Sequence, residues 1–275
     1  MTTSETIYDS NDHKSPAIAE LKEALKYREL IYQLTRRDIL TRYKRSVLGI
    51  AWTMLNPLGM MLVLAFAFSQ IFRFDTGGNY ATYVLSGLIA WNFFSQTTTA
   101  CMNSLVWGGG LFQRIYIPRS TFAISSMFTG VVNWLFSMVP LLIIILATQH
   151  SLPWTVVTFP ISMILLFAFS LGVGLLLSAI GIYFPDVVEM YQIILSAWMY
   201  LTPIIYPETI IPPGMQWVFR INPMYYLVKL FRLSVYDGAL PSAADLVPAV
   251  LFSLAMLVAG WVFFTYRSKE FAYRT

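Results

Sequence analysis

The sequence predicts an all-α, polytopic membrane protein, and three observations support this fold class. Of its 275 residues 57% are apolar and 12% are charged, about half the charged share of a soluble domain. Asp, Glu, Lys and Arg are absent from five long stretches: 46–72, 76–113, 120–185, 190–207 and 246–266. The longest stretch can hold two spans, because a membrane-spanning helix needs roughly 20 apolar residues. Together the five stretches predict six transmembrane helices.

The distribution of basic residues orients these helices. We place the spans at residues 50–72, 80–106, 122–147, 156–183, 187–206 and 246–266, inside a transmembrane domain of residues 48–268. Four of the 18 Lys and Arg residues, Arg73, Arg220, Lys229 and Arg232, then fall in outer segments. Cytoplasmic segments are enriched in Lys and Arg. We therefore expect cytoplasmic termini, with residues 1–26 and 269–275 as polar tails.

Residues 27–47 predict an amphipathic helix ahead of the first span. One side carries basic residues, while Ile39 and Tyr43 share an apolar stripe. A basic helix with an apolar side lies in the plane of the membrane interface. The residues assigned to this interface helix are Arg37, Arg42, Tyr43, Lys44 and Arg45. A plain anchor for the first span explains them as well as a functional role does.

The second predicted span is rich in neutral polar and aromatic side chains. Amide groups and aromatic rings bind sugars weakly and repeatedly, by hydrogen bonds to hydroxyls and by stacking. Packing between membrane helices is the commoner role of Asn, Gln and Thr, and it remains the alternative. The residues predicted to line a substrate path are Trp91, Asn92, Phe93, Phe94, Gln96 and Asn103.

The segment between the fifth and sixth spans is too apolar for an ordinary loop and too broken for one helix. It contains five prolines, Pro203, Pro207, Pro212, Pro213 and Pro223. Short re-entrant helices over residues 207–232 fit this composition, since irregular backbone inside a membrane must be covered by protein or line a wet cavity. A loop lying flat on the bilayer is the alternative.

The sequence offers few groups for chemistry. It has no GxxxxGK[ST] phosphate loop, a single cysteine, Cys101, and two histidines, His13 and His150, far from any carboxylate pair. We therefore expect no metal site, no cofactor and no catalytic residue in this chain. The predicted span cores also lack Asp, Glu, Lys and Arg, which argues against a proton-coupled carrier.

Three motifs in order resemble a known family. They are "RDILTRYKRSVLGIAWTMLNP" at 37–57, "LFQRIYIPR" at 111–119, and "LTPIIYP" followed by "INPMYYLVKLFR" at 201–232. The combination is similar to the membrane subunits of ABC exporters that move polysaccharides and polyol phosphates, such as O-antigen, capsule and teichoic acid. The resemblance runs from about residue 30 to residue 266.

The resemblance implies a six-span permease in a bacterial cytoplasmic (inner) membrane, working as a homodimer. Two copies of a separate P-loop ATPase would bind ATP and Mg, and the cargo would be a lipid-linked polysaccharide; no nucleic acid is involved. Residues implied to couple to the ATPase are Arg114, Tyr116, Pro118, Arg119, Pro185 and Asp186. Residues implied to line or close the outer exit are Tyr200, Pro203 and Tyr206.

Two other functions stay open at the level of the sequence. A drug or lipid exporter would share the topology but would more often need a greasy, laterally open cavity. A membrane-embedded transferase acting on lipid-linked sugars would need an acid or base at the interface. Asp186 and Glu189 are the carboxylates that the inner connections between spans supply.

Overall fold

The computed structural model describes residues 16–44, 46–49, 51–71, 79–107, 117–149 and 153–271. Throughout these residues the regular structure is helical, as the sequence predicts. The first half contains α1 (Pro16–Lys26), α2 (Arg28–Tyr43), α3 (Ala51–Ile71), α4 (Tyr80–Val106) and α5 (Ser120–Gln149). A 3₁₀ turn at Trp154–Thr158 leads into α6 (Phe159–Tyr183), and α7 (Val187–Tyr200) follows a tight turn.

The predicted outer segment forms short helices. Two 3₁₀ turns, Glu208–Ile210 and Pro213–Met215, precede α8 (Gln216–Ile221) and α9 (Pro223–Arg232). A π-helical turn, Leu233–Asp237, then ends at Gly238, which adopts a left-handed φ of 66°. The chain finishes with α10 (Ala243–Phe271). Because α9 buries most of its side chains against α4, α6 and α10, a flat surface loop does not describe residues 223–232.

Three helical stretches of the described chain are long and apolar enough to cross a membrane. They are Ser120–Thr148, Trp154–Tyr183 and Ala243–Ser268, and a shorter apolar stretch, Ala51–Ala67, lies in α3. The helix at the second predicted span is long enough, but its Asn, Gln and Thr residues make it less apolar. Length and composition therefore support three of the six predicted spans, and the six-span topology stays a prediction.

Helix α4 lies at the centre of the fold and packs on α3, α5, α6 and α9. Helices α6 and α10 approach at backbone distance, since a Cβ at Gly172 or Gly260 would overlap main-chain atoms of the facing helix. On another side of α6, Gly174 and Ser178 contact Cys101 of α4. These are the close helix contacts that small residues permit in membranes.

Two predicted boundaries differ from the structure. Residues 16–26, assigned to a polar tail, form α1, because "PAIAELKEALK" combines good helix formers with an initial proline. Glu20 of α1 accepts a hydrogen bond from the Ser120 hydroxyl at 2.7 Å, and Trp261 donates to the Ala17 carbonyl. The fifth predicted span, 187–206, is helical only to Tyr200.

Candidate functional site

A polar cavity of about 780 Å³ lies among α2, α3, α4 and α5. Each of the four helices contributes side chains with amide, hydroxyl or guanidinium groups. The polar lining residues are Arg37, Asp38, Thr41, Arg42, Ser46, Thr53, Asn56, Asn92, Gln96, Thr97, Asn103, Ser104, Ser126, Thr129, Asn133 and Ser137. The volume falls in the range of small-molecule sites and accommodates a few sugar rings.

One face of α4 forms a wall of this cavity. Asn92, Phe93, Gln96 and Asn103 all line it, at spacings of one, three and seven residues that place them on a common helical face. Four of the six predicted path residues therefore meet at one cavity. They are joined there by Ile89, Thr97, Ala100 and Ser104.

The other two predicted path residues, Trp91 and Phe94, lie on a different face of α4 and are buried. The Trp91 ring packs against Phe94 at 5.6 Å and Trp198 at 6.3 Å between centroids. Phe94 also stacks on Phe169 at 5.6 Å. This aromatic cluster holds α4 against α6 and α7, so the structure gives Trp91 and Phe94 a packing role.

The walls from α3 and α5 were not anticipated from the sequence. Ser126, Thr129, Asn133 and Ser137 follow one another at spacings of three and four along α5 and line the cavity. The Ser137 hydroxyl donates to the Thr53 carbonyl of α3 at 3.0 Å. The signal that could have revealed this stripe is its period, which matches one face of a helix.

Two buried polar atoms of cavity-lining residues have no hydrogen-bond partner among the described residues. They are the acceptor Oδ1 of Asn103 and the donor Nε1 of Trp134. Buried polar groups are nearly always satisfied by protein or water. These two atoms are therefore exceptions within the cavity wall.

The end of the cavity next to α2 is charged. Arg37 and Arg42 line it together with Thr41, and Arg37 pairs with Asp38 at 2.8 Å. Lys44 is exposed just beyond α2. Of the other predicted interface residues, Arg45 and the side chain of Tyr43 lie outside what the structure describes. Arg37 and Arg42 therefore give the α2 end of the cavity positive charge.

A buried arginine organises the predicted outer segment. Arg232, the last residue of α9, is only 4% exposed. Its guanidinium lies 3.7 Å from the centre of the Tyr83 ring, donates to the Tyr83 hydroxyl at 2.9 Å, and donates to the Ile204 carbonyl at 2.8 Å. It also donates to the carbonyl of Pro203. Sequence reasoning placed Arg232 in an outer segment and gave it no role.

Arg232 fits this position because α4 makes room for it. A Cβ at Gly87 would overlap the guanidinium, so a side chain at residue 87 would displace the arginine. The guanidinium thereby joins three parts of the fold: α4, the turn after α7, and α9. Its fixed, planar set of donors suits several carbonyl acceptors at once.

Asn222 and Lys229 complete the outer segment. The Asn222 side chain caps α9 by accepting from the Met224 amide at 3.0 Å, and it donates to the Leu201 carbonyl at 3.0 Å. Lys229 pairs with Asp245 at 3.0 Å. Burial alone would lower the pKa of the Lys229 ammonium, but hydrogen bonding to Asp245 and the charge of Glu208 outweigh it and raise the pKa.

The three predicted outer-exit residues belong to the same assembly. The Tyr206 hydroxyl donates to the Tyr200 carbonyl at 2.7 Å, while the Tyr200 side chain is exposed. Pro203 contributes its carbonyl to Arg232. The structure therefore places these residues together at the turn after α7, and their role at an exit stays a prediction.

The predicted coupling residues lie near the ends of helices. Pro118 and Arg119 precede α5, and the Pro118 carbonyl accepts from the Thr121 hydroxyl at 2.6 Å. Pro185 and Asp186 form the exposed turn between α6 and α7. Arg114 and Tyr116 lie outside the described residues. The turn at residues 185–186 is thus open to contact by another chain.

The fold and the cavity define a helical membrane protein with a polar space among its helices. The chain belongs to the ABC-2 type transporter family, whose sequence model matches residues 29–236. This family membership confirms the resemblance found in the three motifs.

Curated relatives cover most of the chain. An O-antigen export system permease protein, RfbA, of Myxococcus xanthus is 28% identical over 254 residues, which are 92% of this chain and 97% of the relative. The polysialic acid transport protein KpsM of Escherichia coli is 26% identical over 87% of this chain and 93% of its own. A capsule polysaccharide export inner-membrane protein, CtrC, of Neisseria meningitidis serogroup B is 22% identical over 85% and 89%.

Proposed function

We propose that the chain is the membrane permease of an ATP-driven exporter that moves a lipid-linked polysaccharide across the cytoplasmic membrane. Two copies would act with two copies of a separate P-loop ATPase, which would bind ATP and Mg. The observation that carries the proposal is the cavity among α2–α5, lined by amides, hydroxyls and aromatic rings. Membership of the ABC-2 type transporter family and the names of its relatives support the same assignment.

The cavity matches a glycan in its chemistry. Asn56, Asn92, Asn103 and Asn133 present amides that donate and accept, and Trp52 adds an aromatic surface. Such groups bind sugars without a charge that would hold them tightly, so a long chain can slide. At the α2 end, Arg37 and Arg42 suit the phosphate groups by which a glycan is joined to its lipid.

Homodimer formation is supported by apolar faces without partners in one copy. Leu62, Val63 and Phe66 of α3 and Met190 and Ile193 of α7 are exposed. Lipid covers such faces in a monomer, and a second copy covers part of them in a dimer. We infer that a second copy packs near α3, whose Trp52, Thr53 and Asn56 line the polar cavity, and that the polysaccharide passes along this cavity.

Coupling to the ATPase would occur at the cytoplasmic helix ends. The turn with Pro185 and Asp186 is exposed, as is Phe184 beside it. The segment that ends at Pro118 and Arg119 leads directly into α5, which carries the polar stripe. If the ATPase displaced this segment, α5 and the cavity wall that it forms would therefore move with it.

The test is to purify the tagged chain from its own host in mild detergent, identify stoichiometric partners and assay ATP hydrolysis. We expect a partner with a GxxxxGK[ST] loop and ATPase activity, together with lipid-linked glycan accumulating inside cells that lack the chain. A chain that purifies alone after cross-linking would contradict the proposal. Accumulation of a drug or a free lipid instead of a glycan would favour the drug or lipid exporter.

A further inference from the structure

A second groove lies on the opposite side of α2 from the polar cavity. It has a volume of about 1040 Å³, and its walls are α1 and α2 on one side and α5, α6 and α10 on the other. Its lining is almost wholly apolar, in contrast to the first cavity. The exposed apolar residues that line it include Leu25, Leu40, Phe128, Val258 and Val262.

The groove has the length of a lipid chain within one leaflet. Its lining residues on α5 run from Ile124 to Val132, and over this distance a helix rises about 12 Å. One half of a bilayer's hydrocarbon core is about 15 Å thick. The groove therefore matches most of the hydrocarbon depth of one leaflet in length.

Two arginines lie at the α2 side of this apolar groove. Arg28 and Arg36 are both exposed and both line it. No carboxylate of the described residues lies within ion-pair distance of either guanidinium. Arg37, which faces the polar cavity instead, does have a partner, Asp38. The groove thus combines an apolar floor with two cations that have no ion-pair partner among the described residues.

We propose that this groove is a binding site for an anionic phospholipid of the cytoplasmic leaflet. One acyl chain would lie along Phe128, Val258 and Val262, and the phosphate would lie between Arg28 and Arg36. An apolar tail with an anionic head is the chemistry that this arrangement complements. A wholly apolar partner would leave the arginines unused, and a soluble anion would leave the groove empty.

The bound lipid would steady a wall of the transport cavity. Helix α2 contributes Arg37, Thr41 and Arg42 to the polar cavity on one side and Arg28 and Arg36 to the groove on the other. Thr35, which also lines the groove, donates to the Ile31 carbonyl of its own helix at 2.8 Å, and its hydroxyl lies 3.4 Å from the Ser125 carbonyl of α5. A phospholipid seated here would add contacts from α2 to α5 and α10.

The test is a lipid titration of the purified full-length chain in mild detergent, followed by native mass spectrometry. The probes are dioleoylphosphatidylglycerol and dioleoylphosphatidylcholine, which share their tails and differ in charge. We expect one tightly held phosphatidylglycerol per chain, bound at least tenfold more tightly than phosphatidylcholine. Arg28→Gln with Arg36→Gln should remove this preference, because each arginine near a headgroup contributes about fivefold.

The apolar part is tested separately with Val258→Trp, which should weaken binding of both lipids. Val258 is exposed, so the larger ring fills the groove without entering the core. Lys22→Gln with Lys26→Gln removes two exposed charges from α1 outside the groove, and Leu251→Trp adds a ring elsewhere on α10; both controls should bind as the parent does.

Equal affinity of the parent for the two lipids would overturn the proposal, as would an unchanged preference in the double arginine variant. If Val258→Trp alters subunit association and leaves lipid binding unchanged, the groove is covered by a second copy and the proposal is wrong.

Discussion

Arg232 shows how one residue can determine the geometry of a whole segment. A buried arginine is costly unless its donors are used. Here the two terminal nitrogens engage Tyr83, Pro203 and Ile204, and only Nε has no partner among the described residues. The carbonyls of Pro203 and Ile204 lie in a turn and so have no helical partner. The prolines of this segment have no backbone N–H to donate, and the arginine supplies hydrogen bonds to the free carbonyls instead.

Replacing Arg232 with Lys is expected to loosen the outer segment. Lys keeps the charge, but it lacks the planar fork that reaches several acceptors at once. We expect a loss of about 1–3 kcal/mol in stability, read as a lower unfolding temperature in detergent, together with reduced export. Arg220→Lys, at an exposed position of α8, is the matched control. Unchanged stability of the Arg232 variant would show that the guanidinium does not hold the turn.

The cavity and the aromatic cluster should respond differently to substitution. Asn103→Leu removes an amide from the wall of the cavity, so we expect reduced export at a normal protein level. Trp91→Leu should lower the amount of folded protein and export together, because Trp91 is 4% exposed and packs against Phe94 and Trp198. Immunoblots beside surface glycan measurements separate the two outcomes. Equal loss of protein in both variants would contradict the division of α4 into two faces.

Helix α4 illustrates what can be predicted at the level of an element. The sequence identifies the helix and its polar residues, and a period of 3.6 already separates Asn92, Gln96 and Asn103 from Trp91 and Phe94. The sequence does not reveal which helix packs against each face of α4. The cavity exists because α5 presents its own polar stripe, and pairing of the two stripes depends on tertiary packing.

Other elements were harder to predict for physical reasons. Helix α1 has the polar composition of a tail. Its position is set by the hydrogen bonds of Glu20 with Ser120 and of Ala17 with Trp261, which join residues far apart in the sequence. Helix α7 ends at Tyr200 although the following residues are apolar, because Pro203 and Pro207 cannot donate helical hydrogen bonds. The burial of Arg232 depends on the space at Gly87, which no local pattern reveals.

The contact between α6 and α10 should tolerate no added side chain. Gly172→Ala and Gly260→Ala place a methyl group against backbone atoms of the facing helix, and such overpacking costs about 1–3 kcal/mol. We expect each variant to lower the unfolding temperature in detergent. Gly59→Ala, where nothing lies within 4 Å of the added Cβ, serves as the control. If the α6 and α10 variants matched this control, the close approach of the two helices would be wrong.

At the scale of the whole molecule, two copies and an ATPase complete the proposed exporter. Arg119 stands at the start of α5, where force from an ATPase would enter. We expect Arg119→Glu to reduce export while membrane insertion stays normal, because reversal of charge disturbs the contact and spares the spans. ATP hydrolysis measured with and without the lipid-linked glycan distinguishes lost coupling from lost assembly. Normal export by this variant would show that the segment before α5 is not the coupling site.

In the proposed exporter the polar cavity among α2–α5 carries the glycan. The most direct test places a photo-cross-linking residue at Asn133, inside the cavity, and at Ile164, which is exposed on α6, in cells that make the polysaccharide. We expect a glycan-linked form of the protein from residue 133 and none from residue 164. Cross-linking to the glycan from residue 164 alone, or from neither position in cells that export normally, would contradict it.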